Sequence, residues 1–536
     1  MNLYRKLPVG IQSFEKLRTD KYLYVDKTEH LFRLILTSSP YFLSRPRRFG
    51  KSLFLSTLAA YFLGKKDLFK GLYIEKAEEE RAKSEDSEPW TEYPVLYLDF
   101  NTGIYDTKEG LLNRLNSFLQ EYEKIYESTG LDLPDRFQNL IKAAYEKTGK
   151  QVVILVDEYD KPLLQTMYVN EALNEEFRST LKSFYSVLKT CDQYIRFSFL
   201  TGVTKFSKIS IFSDLNNLQD ISLHESFSSI CGITEKELHL TFKPEIEALA
   251  EKEKISYESC VELLKKRYDG YLFAGVGESV YNPFSVLNVF SANNAGSYWF
   301  ATGTPTFLVN YLKDAHYNIP DLDGNVELDE AGLADYRADT KNPLPILFQA
   351  GYLTIKEYIR EAALYRLGFP NDEVRYGFLK NLLPDYTSLR TDQTASSVWR
   401  FVEDVKAGNV DGFMERMQSI IAGIPYDNLP KEKLKLREQN YQTAVYLIFK
   451  LMGQFVETEI HCAAGRADCI VHTADTIYIF EFKLDGNGSS EDAIAQIKEK
   501  GYAVPFKSSG KKIVLIGSSF DEKERTIKDW KTETLL

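Results

Sequence analysis

The run Tyr41-Phe42-Leu43-Ser44 leads through Arg45-Pro46-Arg47-Arg48-Phe49 into Gly50-Lys51-Ser52 and then directly into the apolar helical stretch Leu53–Leu63. A short strand that turns through a Gly-Lys-Ser loop straight into a helix leaves few architectures open. The loop presents backbone N–H groups at a helix N-terminus, where summed peptide dipoles favour an anion. Strand-like runs recur at Val95–Phe100, Val152–Val156 and Arg196–Leu200, with helical stretches such as Glu171–Leu188 between them. That alternation predicts an α/β fold over residues 1–225: a mostly parallel sheet with helices on both faces.

In such a loop Gly50 permits close backbone approach, Lys51 reaches the β- and γ-phosphates of a nucleotide, and Ser52 offers its hydroxyl to Mg²⁺. The pattern GxxxxGK[ST] asks for glycine where this chain has Arg45. Arg47 and Arg48 add positive charge beside the phosphates, and Phe49 and Leu53 flank the Gly-Lys-Ser triplet, so residues 45 and 47–53 form the candidate nucleotide loop. The buried-strand run Val152–Val156 ends in Asp157-Glu158, and acids at the C-terminal end of a parallel strand lie where such sheets bind ligands. Asp157 is suited to hold the cation through water, and Glu158 to orient or deprotonate an attacking water. Thr201, after the run Arg196–Leu200, is a candidate γ-phosphate sensor. Each signal alone is common; their order along the chain argues for ATP.

The last hundred or so residues reset the pattern. A long helix at about 431–452 precedes strand runs at 455–460, 466–471 and 476–482, a helix at 490–502 and a strand at 512–516, an αβββαβ order. Glu481 and Lys483 alternate with Phe480 and Phe482, so strand geometry puts the charged pair on one face and the rings on the other. A turn at about 472–475 folds Asp468 back beside them. Two carboxylates, Asp468 and Glu481, then suit a hard cation, and Lys483 can position water or offset developing charge on a phosphodiester. Acid-x-Lys on an edge strand is usually a solvated face; the flanking rings, Asp468 and the helices on either side argue otherwise. Between the two ends, residues 226–425 read as a helical middle region with a winged-helix element, in which a helix and turn lead to a strand at Tyr352–Ile355. Tyr426–Lys435, with Pro425 and Pro430 about it, reads as a linker before the C-terminal domain at 426–536.

Two resemblances follow from these residues. Leu7–Ile11, Tyr24–Thr28, the loop Ser44–Ser52, Asp157–Pro162 and Leu200–Thr204 resemble the AAA-ATPase-like family, as do Tyr281–Ser285, Trp299–Pro305 and Gly351–Ile355. The Arg-Pro-Arg-Arg form of the loop is typical of that family, which implies a P-loop NTPase in a regulatory role. Asp468 with Glu481-x-Lys483 resembles the PD-(D/E)XK nuclease superfamily and implies a restriction-endonuclease-like domain using Mg²⁺, with Mn²⁺ as an alternative. By the same resemblance Glu438 matches an acidic position on the preceding helix and Gln496 an accessory polar position on the following one. The first motif reads Ala467-Asp468 where that superfamily has Pro-Asp.

The net charge of −11 excludes a global basic footprint for coating nucleic acid, though not a local one. Five scattered cysteines without a CxxC pair argue against disulfide and zinc frameworks and for a reducing compartment. No apolar leader opens the chain and no apolar run approaches the ~20 residues that span a bilayer. His461 and His472 read as incidental, and Glu78–Glu80 as a solvated helix face. The expectation is a cytoplasmic protein with ATP and DNA as partners, self-association included, whose ATPase module controls a metal-dependent nuclease. Its rivals are an ATP-driven switch with a catalytically inactive nuclease fold, and a plain ATPase with an inactive appendage.

Overall fold

The computed structural model describes residues 5–37, 39–167, 169–205, 212, 215, 217–302, 308–309, 311–312, 315, 317–334, 342–423, 434–460, 468–483, 488–521 and 526–535, and only the backbone of 301–302, 334 and 434–440. The chain divides into two compact units, Met1–Ala301 with Gly324–Asp372, and Thr302–Asp323 with Glu373–Leu536.

The first unit is built on a parallel sheet of β1 (Pro40–Ser44), β2 (Val95–Asp99), β3 (Val152–Asp157), β4 (Ile195–Gly202) and β5 (Gln219–Asp220) in the order β2-β3-β4-β1-β5. β3 is buried along its whole length, as its run of Val, Ile and Leu requires when both faces are covered. The covering helices announce their starts with side-chain caps: Thr107 for Lys108–Tyr126, Asp132 with a proline behind it for Leu133–Thr148, and Asn170 for Glu171–Thr190. Phe137 and Phe184 stack at 4.4 Å between two of them. The order has one functional consequence. β4 is inserted between β1 and β3, with Thr201 opposite Leu43 and Leu200 opposite Val156, so the ends of all three strands converge.

Beyond the sheet, helices Glu235–Glu253, Tyr257–Tyr268 and Pro283–Ala292 gather around Leu238, Phe242, Ile246 and Leu264. A short antiparallel pair, β6 (Ile233–Thr234) and β7 (Val280–Tyr281), ties them together. β8 (Val326–Leu328), β9 (Thr354–Ile359) and β10 (Leu364–Gly368) form an antiparallel sheet in the order β8-β10-β9, with helix Leu344–Gln349 ahead of the β9–β10 hairpin. One expectation is corrected: Glu78 is fully buried, paired with Arg81 at 2.8 Å and accepting the Trp90 N–H at 3.2 Å. Cys191, Cys231, Cys260 and Cys469 are free and buried; Cys462 lies outside the described residues.

The second unit carries a mixed sheet in the order β11-β12-β13-β14-β15: β11 (Glu457–Ile460), β12 (Cys469–His472), β13 (Thr476–Lys483), β14 (Lys512–Asp521) and β15 (Thr526–Leu535). β11, β12 and β13 are antiparallel neighbours; β13 and β14 run parallel. β13 obeys strand alternation. Ile477 and Ile479 pack with Ile494 and Ile497 of helix Ser490–Glu499. Phe480 and Phe482 lie against Phe449 of helix Leu434–Met452 at 5.0 and 6.3 Å. Gly517 of β14 lets the 490–499 helix lie close, since a Cβ there would meet the Ser490 carbonyl oxygen at 2.3 Å. The closing strand β15 extends the predicted αβββαβ order. The linker at 426–435 falls, but for its last two residues' backbone, outside the described residues. Among the described residues no helix is long and apolar enough to cross a membrane.

Candidate functional site

At the first site the end of β1 turns through residues 45–50 into helix Lys51–Phe62. Gly50 has φ 98°, a left-handed conformation that glycine takes without strain. Lys51 is buried; its Nζ donates to the carbonyls of Arg45 and Pro46 at 3.0 and 3.2 Å and lies 3.3 Å from Glu158 Oε1. Glu158 itself has φ 52°, a left-handed value that costs a residue with a Cβ on the order of 1–2 kcal/mol. Ser52 is the second residue of that helix. Burial pushes the Asp157 carboxyl up to about 7, opposed by the nearby Ser52 hydroxyl and reinforced by the charge of Glu158.

A Mg²⁺ ion fits these groups. Asp157 keeps one buried oxygen, Oδ1, without a hydrogen-bond partner, beside a hydroxyl, and hard cations take such oxygens. The Thr201 hydroxyl is likewise buried without a partner. An apolar cavity opens beside the loop, lined by Pro8, Val25, Gly50, Leu53, Cys231 and Leu287 among others.

The three arginines of the loop part company. Arg45 is 1% exposed; its guanidinium donates to the carbonyls of Ser44, Ser222 and Phe227 at 2.7–3.0 Å and sits 4.3 Å above the Phe273 ring. Arg48, at φ 70°, donates to the carbonyls of Tyr298 and Trp299 and stacks on Phe284 at 4.0 Å. Arg47 is exposed. Phe49 is buried edge-on against Tyr271 and Phe273. The sequence reading placed the charges of Arg47 and Arg48 beside the phosphates; the guanidiniums of Arg45 and Arg48 hold the loop to its surroundings.

Sequence reasoning missed the residues that fix Glu158. Tyr159 N–H donates to the Thr201 carbonyl and its hydroxyl to the Thr204 carbonyl. Asp160, fully buried, accepts the N–H groups of Val203 and Thr204 and the Thr204 hydroxyl at 3.0, 2.6 and 2.5 Å. On β2, Asp99 lies opposite Asp157, and the Asn101 amide reaches Asp157 Oδ2 at 3.4 Å. The sequence signal for this network was the stretch Asp-Glu-Tyr-Asp-Lys itself.

At the second site β13 and β12 bring Glu481, Lys483 and Asp468 together. Asp468 Oδ2 accepts the Phe482 N–H at 2.8 Å, and Lys483 Nζ lies 3.4 Å from Glu481 Oε1. Gln496, from the 490–499 helix, joins them: its amide donates to Glu481 Oε1 and its oxygen accepts from Lys483. Glu481 is 4% exposed, and burial together with the charge of Asp468 pushes its carboxyl up to about 7. Burial raises Asp468 as well. Glu481 Oε2 is buried without a hydrogen-bond partner, so a divalent cation fits here too. Among the described residues no three His, Cys, Asp or Glu side chains assemble into a cation cage. Glu438 lies on helix Leu434–Met452, but its side chain is outside the described residues, as is His461; His472 pairs with Glu459 at 3.2 Å.

Residues 8–212 match the family described as predicted AAA-ATPase, AAA-ATPase-like, and residues 436–530 match the PD-(D/E)XK nuclease superfamily. A relative from Azotobacter chroococcum mcd 1, described as an uncharacterized protein in the vnfD 5′ region, is 37% identical over 541 residues, covering 99% of each chain.

Proposed function

Because the chain belongs to the AAA-ATPase-like family and carries a PD-(D/E)XK nuclease superfamily domain at its C-terminal end, we propose that it binds ATP at the Lys51 loop and cleaves DNA at the Asp468–Glu481–Lys483 cluster, with the nucleotide controlling the cut. The observation that carries this reading is a repeated one. In each unit a lysine lies within 3.4 Å of a glutamate, and a neighbouring or shared carboxylate keeps a buried oxygen unpaired: Lys51 and Glu158 beside Asp157 Oδ1, Lys483 and Glu481 with Glu481 Oε2.

In this reading the phosphates draw Lys51 off the carbonyls of Arg45 and Pro46, and the base enters the apolar cavity next to Gly50 and Leu53. Glu158, released from Lys51, takes a proton from the attacking water, and the Thr201 hydroxyl contacts the γ-phosphate. Exposed Arg47 adds charge there. At the second site Lys483 orients water and offsets charge on the phosphodiester, while Gln496 fixes the rotamers of Glu481 and Lys483. Mg²⁺ or Mn²⁺, when bound by Ser52 with Asp157 and by Asp468 with Glu481, supplies Lewis-acid polarisation and a more acidic water. A switch with a dead nuclease fold is disfavoured, since Asp468, Glu481 and Lys483 are all present and converge.

Titration calorimetry with ATP and cleavage of plasmid DNA in Mg²⁺ or Mn²⁺ test this on the parent, Lys51→Ala and Asp468→Ala. Lys51→Ala should weaken ATP binding by ~10-fold or more, and Asp468→Ala should abolish cutting with ATP binding intact. Equal cutting by Asp468→Ala and the parent would remove the nuclease reading.

A further inference from the structure

Within the ATPase unit, β4 leaves its sheet with successive residues tied. Thr201 and Gly202 offer their carbonyls to the N–H groups of Tyr159 and Arg45 at 3.1 and 3.2 Å, and Val203 and Thr204 donate their N–H groups to Asp160. The next N–H, that of Lys205, donates to Gln349 Oε1 at 2.9 Å, while Lys205 Nζ pairs with Asp220 at 3.0 Å. Lys205 and Gln349 are 7% and 4% exposed, so water does not compete for the bond between them. The Thr201 hydroxyl, buried and without a partner, is the group that this stretch leaves open.

Gln349 is the last residue of helix Leu344–Gln349, and its Nε2 donates to the Leu333 carbonyl at 2.8 Å. Its side chain cannot turn away from Lys205 without breaking a second buried bond. Two residues on, the same turn meets the nucleotide loop. Gly351 has φ +86°, and a Cβ there would lie 2.7 and 2.8 Å from Cβ and Cγ of Pro46. The Pro46 carbonyl is one of the two that hold Lys51 Nζ, at 3.2 Å. Thr354, the first residue of β9, fixes the far side of the turn. Its hydroxyl accepts the Leu272 N–H at 2.8 Å and donates to the Leu272 carbonyl at 3.1 Å, between two rings, Tyr271 and Phe273, that pack on Phe49. Residues 349–351 therefore meet both the loop that holds Lys51 and the strand that carries Thr201.

We infer that Gln349 sets the preference of the nucleotide site for a triphosphate over a diphosphate: by holding the Lys205 N–H it fixes the exit of β4, and with it the place of the Thr201 hydroxyl. This rests on the ATP reading above and names the residue behind its specificity. A diphosphate answers to the Lys51 loop alone, whereas a third phosphate also needs the Thr201 hydroxyl in place. A hydroxyl contributes most when its position is fixed before the ligand arrives. Removing the Gln349 acceptor leaves the buried Lys205 N–H without it, a cost that the exit of β4 relieves by shifting. Gln349 touches no phosphate; it is a positioning residue.

Calorimetric titration of the full chain in Mg²⁺, with ADP and with the β,γ-imido analogue of ATP, tests this on the parent, Gln349→Leu, Thr201→Val and the double variant. Gln349→Leu should leave the ADP Kd within about twofold of the parent and raise the analogue Kd ~10-fold, the worth of one hydrogen bond to a charged group. Thr201→Val should do the same. The double variant should bind no worse than either single one, since both act on one contact. An unchanged ratio of the two constants in Gln349→Leu, or losses that add in the double variant, overturns the inference. Equal weakening of ADP and analogue also overturns it, because Gln349 then supports the loop as a whole. A parent that binds neither nucleotide sinks the ATP reading itself. If Gln349→Leu does not fold, Gln349→Met, closer in shape, takes its place in the same comparison.

Discussion

Gly202, the last residue of β4, offers a measurable test of how the nucleotide site is held. A Cβ at this position would lie 2.6 Å from Asp160 Oδ1, 2.6 Å from Tyr159 Cε1 and 2.7 Å from Tyr159 Cδ1, where 3.4 Å is ordinary contact. Relief needs a shift of nearly an ångström, and neither neighbour is free to make it. Asp160 holds three hydrogen bonds to Val203 and Thr204, and Tyr159 bonds the Thr201 and Thr204 carbonyls. Gly202→Ala should thus cost about 1–3 kcal/mol as overpacking, plus roughly 1.5 kcal/mol if one bond to the buried carboxylate is lost. That is a large share of a typical domain's ~5–15 kcal/mol. The same shift moves Glu158, one residue from Tyr159, and a misplacement of ~1 Å costs on the order of a hundredfold in turnover. Urea unfolding of the ATPase transition and a steady-state ATP hydrolysis assay read the two effects. Parent-like stability, within ~0.5 kcal/mol, would refute the packing described for Asp160 and Tyr159.

Other perturbations reach the second site and the pH response. Lys483→Met should lower DNA cutting by ~10²–10³-fold, read as the initial rate of plasmid nicking, with the urea midpoint little changed. Gly517→Ala drives a Cβ against the Ser490 carbonyl and Ala493, displacing the helix that carries Gln496; about 1–3 kcal/mol of stability and most of the cutting should be lost together, by urea titration and nicking assay. His30 is held down to about 4, first by burial and then by the charge of Lys27. Between its ordinary value near 6.5 and about 4 the unfolded chain binds the extra proton, so stability present above that window is lost as pH falls through it, by up to about 3 kcal/mol. His30→Leu should flatten that slope of ΔG against pH; an unchanged slope places the effect on other groups.

Much of this was legible where the signal is local. The Gly50-Lys51-Ser52 loop, the apolar β3 ending in Asp157, and the Phe480–Glu481–Phe482–Lys483 alternation each lie within one element, and hydrophobic periodicity places one element well. What escaped depends on partners distant in sequence. Nothing around Arg45 foretells that its guanidinium finds the carbonyls of Ser222 and Phe227, or around Asp160 that it caps residues 203–204. β15 escaped because its residues are mostly charged or polar, with no apolar run to mark a strand; it forms by pairing with β14, with Ile527 buried. The membership of 302–323 in the C-terminal unit is a tertiary choice that no local pattern records.

The central claim is most directly tested by the initial rate of phosphodiester cleavage of supercoiled plasmid by the purified chain in Mg²⁺, with and without ATP, alongside Lys51→Ala and Asp468→Ala. The parent should cut at a rate that ATP changes, Lys51→Ala should cut equally well without any ATP response, and Asp468→Ala should not cut. Cutting that persists in Asp468→Ala, or that answers ATP in Lys51→Ala as it does in the parent, would contradict the claim.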